Sequence, residues 1–168
     1  QEEYDLNYPE DGWVELDPKK ILETVTNTVN KVVSDNISIE ACGITNQRET
    51  TIVWSKATGE AIYPGIVWQD RRTHEYCAQL KSNGHESIVK EKTGLLLDTY
   101  FSATKIKWIL DNVDGARERA NKGELLFGTV DSYLVYMLSK EKNHFTDVTN
   151  ASRTLLFNIK NMAWDEEL

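Results

Sequence analysis

Asp17 followed by Pro18 is an N-cap and first-turn signal, and behind it Ile21, Leu22, Val25, Val29, Val32 and Val33 recur at the spacing of one helical face. The pattern predicts a helix whose apolar side packs on something. After the turn-like SDN of residues 34–36, the run ISIEACGIT, 37–45, reads as a strand apolar enough to lie inside a sheet. Two further apolar runs, TTIVW at 50–54 and AIYPGIVW at 61–68, flank KATGE, whose Gly59 suits a hairpin loop. Pro64 places the second run at a sheet edge or makes it irregular. From Arg72 onward the periodicity is helical, over 74–81, 86–92 and 102–112, and ARERANKG reads as a charged surface helix stopped by Gly123 at its C′ position. ELLFG, 124–128, predicts a short buried strand and TVDSYLVYML, 129–138, a helix, while 144–159 alternates polar clusters with apolar runs as strand and loop. The order of elements gives a layered α/β or mixed α+β arrangement without repeats or linkers.

At 168 residues, 40% hydrophobic and 27% charged, the chain can bury a core of its own and makes one domain or a large piece of one. A formal net charge of -8 argues against nucleic acid as a partner, because such a partner needs a basic patch. No apolar run approaches the ~18 residues that would cross a bilayer, and the acidic start, QEEYDLNYPEDG, is unlike a secretory signal, so a cytoplasmic protein is expected. Cys42 and Cys77 lack CxxC or metal-ligand spacing and read as reduced thiols, which makes the N-x-S matches at Asn36 and Asn150 chance occurrences. The opening without methionine suggests a fragment or a processed product.

Several chemistries find no motif. GxxxxGK[ST], GxGxxG and GxSxG are all missing, and His74, His85 and His144 are scattered without HExxH spacing, as surface histidines are. Asp70, Asp98, Asp131 and Asp147 offer carboxylates, but nothing promotes one of them to a catalytic base. What stands out is GITNQRETTIVW, 43–54, which sets Arg48 and Glu49 side by side between two strand-like runs. On a regular strand neighbouring side chains point to opposite faces, so the pair can serve one ligand only where the pleat ends or the chain bends. A carboxylate accepts hydrogen bonds and a guanidinium donates them, so together they complement adjacent hydroxyls of a polyol. Charge-assisted bonds of this kind contribute roughly 1.5 to 3 kcal/mol each. An indole face would meet the carbon chain; Trp68 before QDRRT and Tyr100 in DTYFSATK both stand beside polar, turn-prone sequence. The plain alternative is an exposed ion pair worth less than about 1 kcal/mol, with aromatics that only pack.

GITNQRETTIVW, IVWQDRRT, GLLLDTYFSATKIKWIL, GELLFGTVDSYL and TDVTNASRTLLFNI, in this order, resemble the FGGY family of carbohydrate kinases over nearly the whole chain. NQRET points within that family to the members that phosphorylate glycerol. The resemblance implies an actin-like, ribonuclease-H-like α/β fold of two domains, with residues 1–168 a single partial domain on the N-terminal, glycerol-binding side. It implies ATP-dependent transfer of a phosphoryl group to a terminal hydroxyl, giving sn-glycerol 3-phosphate, with Mg²⁺ as the metal. Residue by residue, it places glycerol binding on Arg48, Glu49 and Tyr100, with Trp68 against the carbon chain. The family's phosphate-binding hairpin is expected before Gln1, and its general base beyond Leu168 in the second domain. Residues 1–168 alone are therefore expected to bind no ATP or metal and to be inactive, since phosphoryl transfer depends on those parts. The whole enzyme is expected to be a homo-oligomer whose partners are glycerol and its own remaining domain, with neither nucleic acid nor membrane. Another carbohydrate kinase of the family, or a non-catalytic binding module on the same scaffold, is the alternative.

Overall fold

The computed structural model describes residues 1–34, 36 and 38–168. Part of the predicted SDN turn and the first residue of the predicted strand at 37–45 lie outside the described residues.

Helix α1, Pro18–Val32, begins where the capping signal places it, with the Asp17 carboxylate accepting from the Lys19 amide at 2.9 Å. Its apolar face is only half used. Ile21 is buried and Leu22 and Val25 pack on the core, whereas Val29, Val32 and Val33 stand exposed. The predicted strand that follows is also corrected: residues 38–45 are irregular and exposed. An apolar run becomes a strand only when a neighbour takes its backbone hydrogen bonds, and among the described residues none pairs with it.

The remaining strands find partners. β1, Glu15–Leu16, pairs antiparallel with β3, Gly65–Ile66, and β2, Ile52–Ser55, pairs antiparallel with β4, Leu125–Gly128. A bridge between Thr51 and Ile66 stitches the two ladders together in the order β1–β3–β2–β4. KATGE closes a hairpin-like connection in which the Ser55 amide donates to the Glu60 carbonyl at 2.8 Å and that of Ile62 to Val53 at 3.0 Å. Beyond it Pro64 leaves only two residues of the second apolar run as strand.

Helices pack on both flanks of this ribbon. α6, Val130–Leu138, follows β4 at once and lays Tyr133 and Tyr136 against the fully buried Trp54, at ring-centroid distances of 5.4 and 5.6 Å. The handover needs Gly128, since a Cβ there would come within 2.4 Å of that of Ser132. On the other flank α4, Ser102–Asn112, sets Ile109 against Val53 and Ile66. α2, His74–Ser82, α3, Glu86–Thr93, and α5, Ala116–Asn121, form where the periodicity puts them, and Gly123 closes the last with φ +71°. The tail forms a short helix α7, Val148–Ala151, and a ladder of β5, Phe157–Asn158, with β6, Ala163–Trp164. Cys42 and Cys77 are both free, and no helix among the described residues is long and apolar enough to cross a membrane.

Candidate functional site

The polar block before β2 is a tight turn, closed by the Thr50 amide donating to the Gln47 carbonyl at 3.3 Å and by the Thr50 hydroxyl on the Gln47 side chain at 3.2 Å. The pleat is therefore broken where Arg48 and Glu49 sit, the condition under which both could reach one ligand. They do not pair with each other. Glu49 turns inward and is only 5% exposed, and its Oε1 accepts from Nε of Arg153 at 2.7 Å. Arg48 stays exposed and its Nη1 donates to the Thr149 carbonyl at 3.4 Å.

Tyr100 and Trp68 come together from the loop before α4 and the segment after β3. Their ring centroids lie 5.5 Å apart at 59°, and the Asp98 carboxylate holds the Tyr100 amide at 2.9 Å. Arg153 connects the two halves of the site, because its guanidinium carbon lies 4.9 Å from the Phe101 ring and 5.9 Å from that of Tyr100. Glu49, Arg153, Tyr100 and Trp68 thus form one continuous cluster, while Arg48 stands on its exposed flank. A buried carboxylate with one oxygen engaged, a phenol and an indole face can accept from hydroxyls and cover a short carbon chain.

Beneath the cluster lies Lys105, fully buried on α4. Its ammonium donates to the Glu49 carbonyl at 3.1 Å and to the Tyr100 carbonyl at 2.7 Å. Burial pushes it down from the usual 10.5 to about 7, against the pull of the Asp70 and Glu49 carboxylates. Between those two values the unfolded chain holds a proton that the folded chain has released, so the Lys105 contribution to stability rises with pH across the window. The slope reaches at most about 1.4 kcal/mol per pH unit. Unfolding free energies of wild type minus Lys105→Met should grow from about pH 7 to about pH 10 and be flat below. A difference that does not change with pH would contradict this ionisation.

Sequence reasoning passed over both Arg153 and Lys105. Lys105 had a signal, since it stands four residues after Phe101 and four before Ile109, on the stripe that faces the core. Arg153 had none, because it meets Glu49 across 104 residues of chain.

The other carboxylates are committed to structure. Asp70 holds the Val14 amide and Arg72, Asp131 accepts from the Thr146 hydroxyl at 2.8 Å, and Asp147 caps α7 through the Asn150 amide at 2.9 Å. No group of three or more His, Cys, Asp or Glu that could hold a metal ion occurs among the described residues. A cleft of about 420 Å³ beside Thr129, His144 and Thr146, and one of about 330 Å³ beside Leu97 and Leu155, are lined by other residues than the cluster.

The model of the FGGY family of carbohydrate kinases, N-terminal domain, matches residues 1–168. A glycerol kinase of Xanthomonas axonopodis pv. citri is 55% identical over the whole chain, as is one of Pseudomonas putida, and the chain spans only 34% of the length of either. Among solved structures, glycerol kinase of Plasmodium falciparum with ADP superposes with a TM-score of 0.90 at 36% identity over 98% of this chain and 33% of its own. Gluconate kinase of Lactobacillus acidophilus superposes at 0.81 with 23% identity, covering 99% of this chain and 32% of its own, a likeness of fold alone.

Proposed function

This chain belongs to the FGGY family of carbohydrate kinases, and from that premise we propose that it forms the glycerol-binding side of an ATP-dependent kinase that yields sn-glycerol 3-phosphate. Similarity to glycerol kinases along its whole length supports the choice of substrate. The observation that carries the reading is the buried Glu49 carboxylate, one oxygen held by Arg153 at 2.7 Å, beside the stacked pair Trp68 and Tyr100.

In this reading Glu49 accepts from hydroxyls of glycerol, the Tyr100 phenol hydrogen-bonds a hydroxyl, and Trp68 covers the carbon chain. Arg48 supplies the complementary donor from the exposed side of the turn, where its bond of 3.4 Å to the Thr149 carbonyl is weak enough to give up. ATP and Mg²⁺ are met by parts of the enzyme outside these 168 residues, as is the general base, and the cytoplasm is the compartment that supplies the nucleotide. The work of this chain is to hold one terminal hydroxyl in a fixed place, which is a large part of catalysis in phosphoryl transfer.

A site that pairs buried charge with hydroxyls should reject an analogue lacking one of them, because a protein group is then left unsatisfied. With the intact enzyme, kcat/KM for 1,2-propanediol is expected to fall at least about 100-fold below that for glycerol. Equal use of the two, or preference for a pentulose in a substrate panel, would overturn the assignment.

A further inference from the structure

Burying an ammonium is costly, and a methionine would fill the same volume in α4 without that cost. The compensation visible for Lys105 is specific: two hydrogen bonds, at 3.1 and 2.7 Å, to the carbonyls of Glu49 and Tyr100. Those carbonyls belong to separate elements, the turn at 47–50 and the loop before α4. We propose that Lys105 is a positioning residue of the polyol site, tying the backbone of Glu49 to that of Tyr100 so that the carboxylate and the phenol meet the same substrate molecule. The inference rests on the reading that Glu49 and Tyr100 hold glycerol.

Two further features support it. The carboxylates of Glu49 in the turn, Asp70 in the segment after β3 and Asp98 in the loop before α4 favour the ammonium, while the Arg72 guanidinium opposes it. A neutral amine still carries two N–H bonds, so the tie to two carbonyls survives loss of the proton near neutral pH. Arg153 fastens the same glutamate at its other end, through Oε1. Glu49 is thereby fixed at both backbone and carboxylate, the kind of support that holds a binding group within tenths of an ångström of its productive place.

The test is steady-state kinetics of the intact enzyme carrying Lys105→Met, with Ile109→Ala as the control for destabilisation. Ile109 lies one turn further along α4, packs on Val53 and Ile66, and bonds to neither carbonyl. Lys105→Met is expected to raise KM for glycerol about tenfold or more and to leave KM for ATP within about twofold, since displacement of a positioned group weakens only the contacts it makes. Ile109→Ala is expected to lower stability and leave both KM values within about twofold. Should Lys105→Met not fold, Lys105→Gln, which keeps an N–H donor one atom short of the carbonyls, is judged by the same criteria.

A glycerol KM that Lys105→Met leaves unchanged, or that Ile109→Ala raises equally, overturns the tie. Glu49→Gln separates the two possible failures. A strong effect of Glu49→Gln without one of Lys105→Met removes the tie and keeps the site, whereas no effect of either removes the glycerol reading and the tie with it.

Discussion

Arg72→Ala is expected to destabilise the fold by about 3–5 kcal/mol, a large share of the 5–15 kcal/mol that holds a typical domain together. The Arg72 side chain is fully buried and meets two buried carboxylates, Asp70 through Nε at 2.9 Å and Nη2 at 2.8 Å, and Glu15 through Nη2 at 2.9 Å. Its Nη1 donates to the Tyr63 hydroxyl at 3.1 Å, and that hydroxyl donates to Glu15 at 2.7 Å. Burial works against the charge on Arg72, but the Asp70 and Glu15 carboxylates and the Tyr63 hydroxyl outweigh it and hold the group above its ordinary range. The guanidinium also lies 3.8 Å from the Trp13 ring centroid and 4.6 Å from that of Trp108. Removing it leaves two carboxylates uncompensated and opens a gap between two indoles. Lysine should not rescue, because a point charge can neither fork onto a carboxylate nor stack. Urea unfolding followed by tryptophan fluorescence measures the loss directly. A change below about 1 kcal/mol would mean that the network contributes no more than an exposed pair does.

Most of the helices were legible because their signals are local. Asp17–Pro18 opens α1, Gly123 follows α5, and the spacing of apolar residues marks α4 over its full length. The strand expected at 37–45 failed for the opposite reason: apolar content says that a segment suits a sheet, while pairing decides whether it joins one. The exposed end of α1, with Val29, Val32 and the capping Val33, follows the same logic, since periodicity defines a face and says nothing of what covers it.

The site was legible in part. Polyol chemistry drew attention to Glu49, and resemblance to a family placed Tyr100 and Trp68 beside it. The plain alternative, an ion pair between Arg48 and Glu49, does not form: Arg153, 104 residues away, bonds the Glu49 carboxylate instead. No spacing rule reaches across such a distance. Lys105 was overlooked for a different reason, because a lysine beside a second one, Lys107, in an amphipathic helix is ordinarily solvated.

Replacing Glu49 with alanine in the intact enzyme removes the one buried carboxylate of the Glu49–Arg153–Tyr100–Trp68 cluster and leaves Arg153 without its ion-pair partner. Two charge-assisted bonds to hydroxyls, at roughly 1.5 kcal/mol or more each, set the loss at about 100-fold or greater in kcat/KM for glycerol. ATP does not meet this side chain in the proposed reading, so its KM should hold. The Lys105 tie runs through the backbone carbonyl of residue 49 and persists in the variant, which keeps the turn in place. The decisive measurement is kcat/KM for glycerol in Glu49→Ala against wild type, with KM for ATP determined alongside. A fall of at least about 100-fold with the nucleotide constant unchanged is expected if Glu49 holds glycerol, and glycerol kinetics within about threefold of wild type would remove Glu49 from the site.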